Sequence, residues 1–351
     1  MFAKRPPSTT GAVASRGGVS SLGLLSSPAV GVAGAGLLFL VAVVGLLAIM
    51  GDPRAGSPMV RISLGRNTPA LPVAATSLAP SSDAAAALAT AAAQPLAPAP
   101  LAGLTEPGPG GLLPVIAPDG RASAQAYARP FHDLGGPKVA LVIGGLGLNA
   151  KSTRQAIEEL PADVTLSFVP YTEGLQGWID LARANGHEVL LEAPMEPVDY
   201  PQNDPGPYTL MAQDPAPETT KRLEWLLSRA TGYFGVTNYL GGRFLASDTA
   251  MNVFSGALRH RGLAFIDDGS AAARGGGVPR ASASSVIDEN LDGAAIDQEL
   301  AGLETAAQQR GRALGSGFAY PVTLQEVKRW AAGLAAHGLT LAPASAVMAK
   351  R

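Results

Sequence analysis

Three carboxylates stand where acid–base or cation chemistry could be built. Glu192 ends the apolar run VLLE, and the adjacent Asp267 and Asp268 end AFIDD. Glu196 follows Glu192 after three intervening residues. Two such groups can share glycoside cleavage, one as acid and one as base or nucleophile. Grouped carboxylate oxygens can also hold a hard cation such as Ca²⁺ or Mg²⁺. A third reading is a polar rim around a pocket without chemistry. A second set, Asn238, Tyr239 and Arg243 in NYLGGR, suits sugar recognition. Tyrosine offers a flat apolar face with a polar tip, and arginine a planar fork for a carboxylate or phosphate. The same fork could instead close an internal ion pair with Asp267 or Asp268.

Several chemistries are excluded. The chain has no Cys, so disulfides, thiolate metal sites and cysteine nucleophiles are absent. Its four histidines sit poorly for catalysis. His187 opens an apolar strand, His260 and His337 end helical stretches, and His132 precedes the regular pattern. Without an imidazole in reach, Ser270 and Ser316 lack the base that a nucleophilic triad needs. No metal ligand set and no cofactor is expected, although the carboxylates admit a divalent cation. Net charge is −2, with the acidic excess in residues 135–351, which argues against nucleic acid as a partner. Gly145, Gly147 and Ala150 fit the dinucleotide pattern G-x-G-x-x-A after a strand. The next strand, however, ends in Phe168-Val169-Pro170, with no acid to hold a ribose.

The elements that must position these residues alternate from Lys138 onward. KVALVI (138–143) is a continuous apolar run, as in a strand covered on both faces. Further strands are expected at 164–168, 188–191, 235–238, 263–266, 284–287, 312–315 and 339–342. Helices are expected between them, two opened by capping boxes at Ser152/Gln155 and Thr323/Glu326. Repeated β/α units imply a parallel sheet. The expected fold is α/β, a distorted (β/α) barrel with parallel strands, preceded by a transmembrane helix and a disordered linker. In such a barrel the functional groups lie past the C-terminal strand ends. Glu192, Asn238, Tyr239, Asp267 and Asp268 all fall there, together with Gly144, Tyr171, Asp288, Ser316 and Phe318.

Upstream, four regions are expected. Residues 1–28 are a cytoplasmic tail. Ala29–Met50 is a stretch without charge, long enough as a helix to cross a bilayer core. Lys4, Arg5 and Arg16 precede it with no acid between them, which keeps the N-terminus cytoplasmic. Residues 51–134 are rich in Ala, Pro and Ser, and read as a disordered tether. Residues 135–351 form the domain, which this topology places in the periplasm on a single-pass inner-membrane anchor. A cleaved secretory signal is the alternative for the apolar stretch.

Six ordered blocks resemble the divergent polysaccharide deacetylases, over about residues 137–347. They are VALVIGGLGLN (139–149), LPADVTLSFVPY (160–171), GHEVLLEAPMEPVDYPQNDPGP (186–207), GYFGVTNYLGGRFLASDTAM (232–251), RGLAFIDDGS (261–270) and RALGSGFAYPVTL (312–324). The resemblance implies a β/α barrel, an envelope location, and a polysaccharide such as peptidoglycan as partner; nothing names a protein partner. It also implies departures from the metal-dependent pattern. Gly144 and Gly145 stand where an Asp pair is expected, Tyr239 where a His is expected, and Ser316-Gly317-Phe318 where another His is expected. The expected function is therefore glycan binding or weak catalysis. The alternative is an active hydrolase that removes acyl groups with carboxylates.

Overall fold

The computed structural model describes residues 94–271 and 276–349. The stretch Ala29–Met50 lies outside the described residues, as do residues 51–93. Among the described residues no helix is long and apolar enough to cross a membrane.

A hairpin comes first, β1 (Thr105–Gly108) antiparallel to β2 (Gly111–Pro114), then a single helical turn, α1 (Ser123–Ala126). There follow β3 (Lys138–Leu146), α2 (Ala150–Glu159), β4 (Thr165–Phe168), α3 (Leu175–Ala184), β5 (Val189–Met195) and α4 (Ala216–Leu227). Next come β6 (Gly235–Leu240), α5 (Asp248–His260), β7 (Ala264–Asp267), β8 (Arg280–Ser282) and β9 (Ser285–Val286). The fold ends with α6 (Gly293–Arg310), β10 (Arg312–Phe318), α7 (Pro321–Gly333) and β11 (Thr340–Leu341).

The large sheet is parallel throughout, in the order β8-β7-β6-β5-β4-β3-β10-β9, with β11 added beside β3. It curls into a half-barrel. Segment 280–286 spans from one edge to the other: β8 bonds β7 while β9 bonds β10. Between them the Ala283 N–H donates to the Asp267 carbonyl (2.8 Å) and the Ser284 N–H to the Leu314 carbonyl (2.6 Å).

Side chains alternate across each strand, and both faces are covered. On β5, Leu191, Ala193 and Met195 pack in the cluster beneath the helices, while Leu190 belongs to the inner cluster. Glu192 therefore points inward, above Leu190. The same alternation puts Ala140 and Val142 of β3, Ala264 and Ile266 of β7 and Leu314 of β10 in the inner cluster. The outer face buries helix stripes such as Leu223, Leu226 and Leu227 of α4 and Met251, Phe254 and Leu258 of α5.

Two helix starts differ from the capping-box expectation. Helix α2 is capped by Asn149, whose side chain accepts the Ser152 N–H (3.0 Å). Helix α7 begins at Pro321, and Thr323 turns inward to bond Asp288 (2.9 Å).

The expected tether over 51–134 is corrected for its second half. Residues 94–134 form a strap that covers the N-terminal end of the barrel. Leu104, Ala117, Ala124 and Tyr127 pack with the inner-face residues Ala140, Val142, Leu190, Phe234 and Leu314. Arg183, 2% exposed, anchors the strap. Its guanidinium donates to the Ala97 carbonyl (2.9 and 3.1 Å), the Tyr127 carbonyl (3.1 Å) and the Gly232 carbonyl (2.9 Å). The Arg129 N–H donates to Glu188 (3.0 Å), and the Leu101 N–H to the Tyr127 hydroxyl (2.8 Å). The strap's own composition cannot build a core. It orders because it buries leucines and a tyrosine on a surface that already exists.

Candidate functional site

A cleft of about 690 Å³ opens at the C-terminal end of the strands. Its walls are aromatic and apolar: Tyr171, Tyr239, Phe318 and Tyr320, with prolines 170, 194, 205 and 321. Tyr239 meets Phe318 edge to face (centroids 6.3 Å apart), and Phe318 tilts against Tyr320 (6.2 Å). Beneath lies a narrower chamber of about 130 Å³ lined by Ser167, Asn238, Asp268 and Ser316 among others. Glu192, Tyr239, Leu240 and Phe318 line both spaces.

Glu192 forms the floor between the two. It is 3% exposed. Its Oε1 accepts the Gly145 N–H (2.6 Å) and the Ser167 hydroxyl (3.0 Å). Burial pushes its carboxyl up to about 7, against the pull of those two hydrogen bonds. Backbone at β3 makes room for it. A Cβ on Gly144 would lie 2.8 Å from the Ser167 hydroxyl and 2.9 Å from Glu192 Oε1. Gly145 takes φ +71°, open to glycine at little cost, and this turns its N–H onto the carboxylate. The strand pairing of β3 with β4 shifts register across this pair. Tyr239 is half-buried, and burial and the Glu192 carboxylate both raise its phenol.

The remaining expected site residues sort into three groups. Asp268 lines the inner chamber, its carboxylate accepting the Ser270 N–H (2.9 Å). Asn238 also lines that chamber, but its amide is engaged: Nδ2 donates to the Leu240 carbonyl (2.8 Å) and Oδ1 accepts the Asp268 N–H (3.1 Å). It shapes the rim rather than offering free donors.

Asp267, expected as a catalytic candidate, is placed away from the cleft. Its side chain is fully enclosed and lines neither space. It accepts from Arg280 (2.8 and 3.0 Å), Ser282 (2.7 Å) and the Gly269 N–H (3.0 Å). Alternation places it on the outer face with Phe265, over which Arg280 also lies. Glu196 and Arg243, expected as ligand-binding candidates, are not brought to the cleft. They pair with each other (2.9 Å), Arg243 also donating to the Val198 carbonyl (2.9 Å) and Glu196 accepting the Ala212 N–H (2.7 Å). Together they clamp the loop after β5, outside the cleft lining. Neither Asp267 nor Asp268 is the partner of Arg243.

The imidazole of His187 is buried away from the cleft, its nitrogens 2.8 Å from the Val164 carbonyl and 3.1 Å from the Ile157 carbonyl. His337 pairs with Glu304 (2.8 Å) on the surface. Among the described residues no group of three or more His, Asp or Glu side chains converges on a common point that could hold a metal ion. Ser167, Asp204 and Tyr320 of the site escape sequence reasoning. Ser167 alone carried a signal: it shares an inward parity with Thr165 on a strand whose Leu166 and Phe168 face outward.

The match to known families now has a geometric frame. The model of the family described as divergent polysaccharide deacetylase matches residues 141–348, which spans most of the strands around the cleft. The chain belongs to the divergent polysaccharide deacetylase family. Proteins of similar sequence include the uncharacterized protein YibQ of Escherichia coli, 22% identical over 218 residues (60% of this chain, 67% of YibQ). An uncharacterized protein of Haemophilus influenzae is 22% identical over 194 residues (53% of this chain, 68% of that protein). The crystal structure of an uncharacterized protein from Agrobacterium tumefaciens is 38% identical, with a TM-score of 0.65. That alignment covers 68% of this chain and 99% of that one. In this member of the family the barrel carries an aromatic cleft with, among the described residues, one enclosed carboxyl at its floor.

Proposed function

We propose that this protein binds an envelope glycan in the cleft above Glu192, without the metal that deacetylase chemistry uses. The observation that carries the reading is the aromatic wall of Tyr171, Tyr239, Phe318 and Tyr320 around that buried carboxyl. Flat rings with polar tips suit the faces of sugar rings. The metal does not fit the residues present. The space a side chain at Gly144 would need holds the Glu192 carboxyl and the Ser167 hydroxyl, and Tyr239 supplies a phenol rather than an imidazole. A catalytic zinc needs three protein ligands and an open position.

A second reading, hydrolysis of an acyl substituent, is favoured by one observation. A carboxyl near 7 is matched to general-base work at neutral pH. In that reading Glu192 takes a proton from water as the water oxygen adds to the acyl carbon. It then returns the proton to the sugar nitrogen or oxygen as the acyl–sugar bond breaks, releasing the acid and the free amine or hydroxyl. The apolar stretch Ala29–Met50, with Lys4, Arg5 and Arg16 before it, supports anchoring in the inner membrane with the domain in the periplasm.

Calorimetric titration of the full chain with soluble peptidoglycan-derived oligosaccharides tests the first reading. Tyr239→Ala and Tyr320→Ala should each weaken binding roughly tenfold, whereas Arg243→Ala, outside the cleft, should not. Unchanged affinity in both tyrosine variants overturns the sugar cleft. Acetate release from an N-acetylated glycan, lost in Glu192→Gln, would favour the second reading.

A further inference from the structure

We propose that the cleft selects glycans bearing a free amino group, with the sugar ammonium seated against Glu192 Oε2. The inference rests on the glycan reading above and names the ligand's charge.

The enclosed carboxylates differ in how they are neutralised. Glu188, at the opposite end of the barrel, has both oxygens occupied, by Thr165 and Ser345 and by the Arg129 N–H. Asp267 has Arg280, and Glu196 has Arg243. Glu192 differs. Both of its protein hydrogen bonds fall on Oε1, and Oε2 has no partner among the described residues. Asp288 Oδ1 is also without a partner, but Asp288 lines neither the cleft nor the inner chamber.

The surrounding charge points the same way. Among the described residues, the charged ones lining the two spaces are Glu192, Asp204 and Asp268, with no Lys, Arg or His in either lining. A buried carboxyl without a cation is costly to ionise. An ammonium delivered by the ligand supplies the missing charge and up to three donors. The adjacent faces of Tyr239 and Phe318 favour a cation next to a ring. An anionic sugar, carrying a carboxylate or phosphate, meets only like charge there. The flat aromatic walls argue for a sugar ring as the carrier of the amine rather than an extended peptide side chain.

Titration of the full chain with a glucosamine tetramer and with an N-acetylglucosamine tetramer, at neutral pH, reads the preference directly. The free-amine tetramer should bind about tenfold tighter or better, the usual scale for a charge-assisted hydrogen bond. Glu192→Gln should level the two affinities, and Asp204→Asn should reduce the preference in part. Equal or tighter binding of the acetylated tetramer by the unaltered protein overturns the inference and leaves the glycan cleft standing, whether or not Glu192→Gln folds. A preference that survives in folded Glu192→Gln also overturns it. If neither tetramer binds, the glycan reading falls and this one with it. A lysine-containing tripeptide that displaces the glucosamine tetramer with equal affinity would show that the amine, not the sugar, is read, against the inference.

Discussion

Glu192→Gln keeps the shape of the buried side chain and removes its charge, so its effect on stability has a sign that depends on pH. The Glu192 carboxyl ordinarily titrates at 4.5 and is pushed up to about 7 in the folded chain. Below 4.5 both the folded and unfolded chains carry the proton, and the folded state suffers no penalty. As pH rises from 4.5 towards 7 the unfolded chain sheds its proton first, so stability falls, and above 7 the full cost is present. At about 1.4 kcal/mol per pH unit this cost is about 3 kcal/mol. The group is enclosed, so solvent screening does not reduce it much. Gln accepts the same Gly145 and Ser167 hydrogen bonds without a charge. The variant should match the natural chain near pH 4.5 and exceed it by about 3 kcal/mol at pH 8, or roughly 6–12 °C in Tm for a domain of this size. Urea unfolding of both proteins from pH 4.5 to 8.5 measures the difference. Glu188 and Asp288, whose carboxyls burial also raises, bend both curves alike and cancel in the comparison. A difference that stays flat across pH 5–8 refutes the reasoning, since it would mean that Glu192 is already neutralised by something else.

Gly144→Ala should cost about 1–3 kcal/mol, because its Cβ must displace either the Ser167 hydroxyl or the Glu192 carboxyl at 2.8 and 2.9 Å. Pairing it with Ser167→Ala should recover part of the loss in urea unfolding, and strict additivity would show that the two do not compete for that space. Arg183→Ala strands the carbonyls of Ala97, Tyr127 and Gly232 at the barrel's N-terminal end. At about 1–3 kcal/mol for each stranded group, the strap should loosen, seen as faster proteolysis within residues 94–131. Unchanged cleavage there would mean that the leucines hold the strap without it.

Much of the architecture was legible in the residues because it depends on local periodicity. The helix Asp248–His260 follows from the spacing of Met251, Phe254 and Leu258 with a glycine at 262. The apolar runs give the strands, and their alternation with helices gives the parallel sheet. The resemblance carried by the six blocks is the family that the match over 141–348 establishes. Glu192 was legible as a pocket residue because it closes the apolar run VLLE. Strand β5 in fact continues to Met195, and the inward parity that Glu192 shares with Leu190 puts its carboxyl at the floor.

Other features depend on contacts between parts distant in sequence. A strand covered on both faces reads as a continuous apolar run that does not say which side is the interior, so Asp267 and Asp268 looked equivalent. Only the sheet's curl assigns Asp267 to the outer face, where Arg280 from the next strand holds it. Arg243 likewise finds Glu196, brought to it by the pairing of β5 with β6. The strap reads as a tether because composition measures what a segment can bury by itself. Residues 94–134 are ordered by a surface assembled from β3, β5 and β10, and by Arg183 reaching back across the barrel's end. The residues themselves specify elements and their order. Which carboxylate is left facing the cleft without a counter-ion is decided only when the sheet curls, because that choice depends on the neighbours each strand acquires through space.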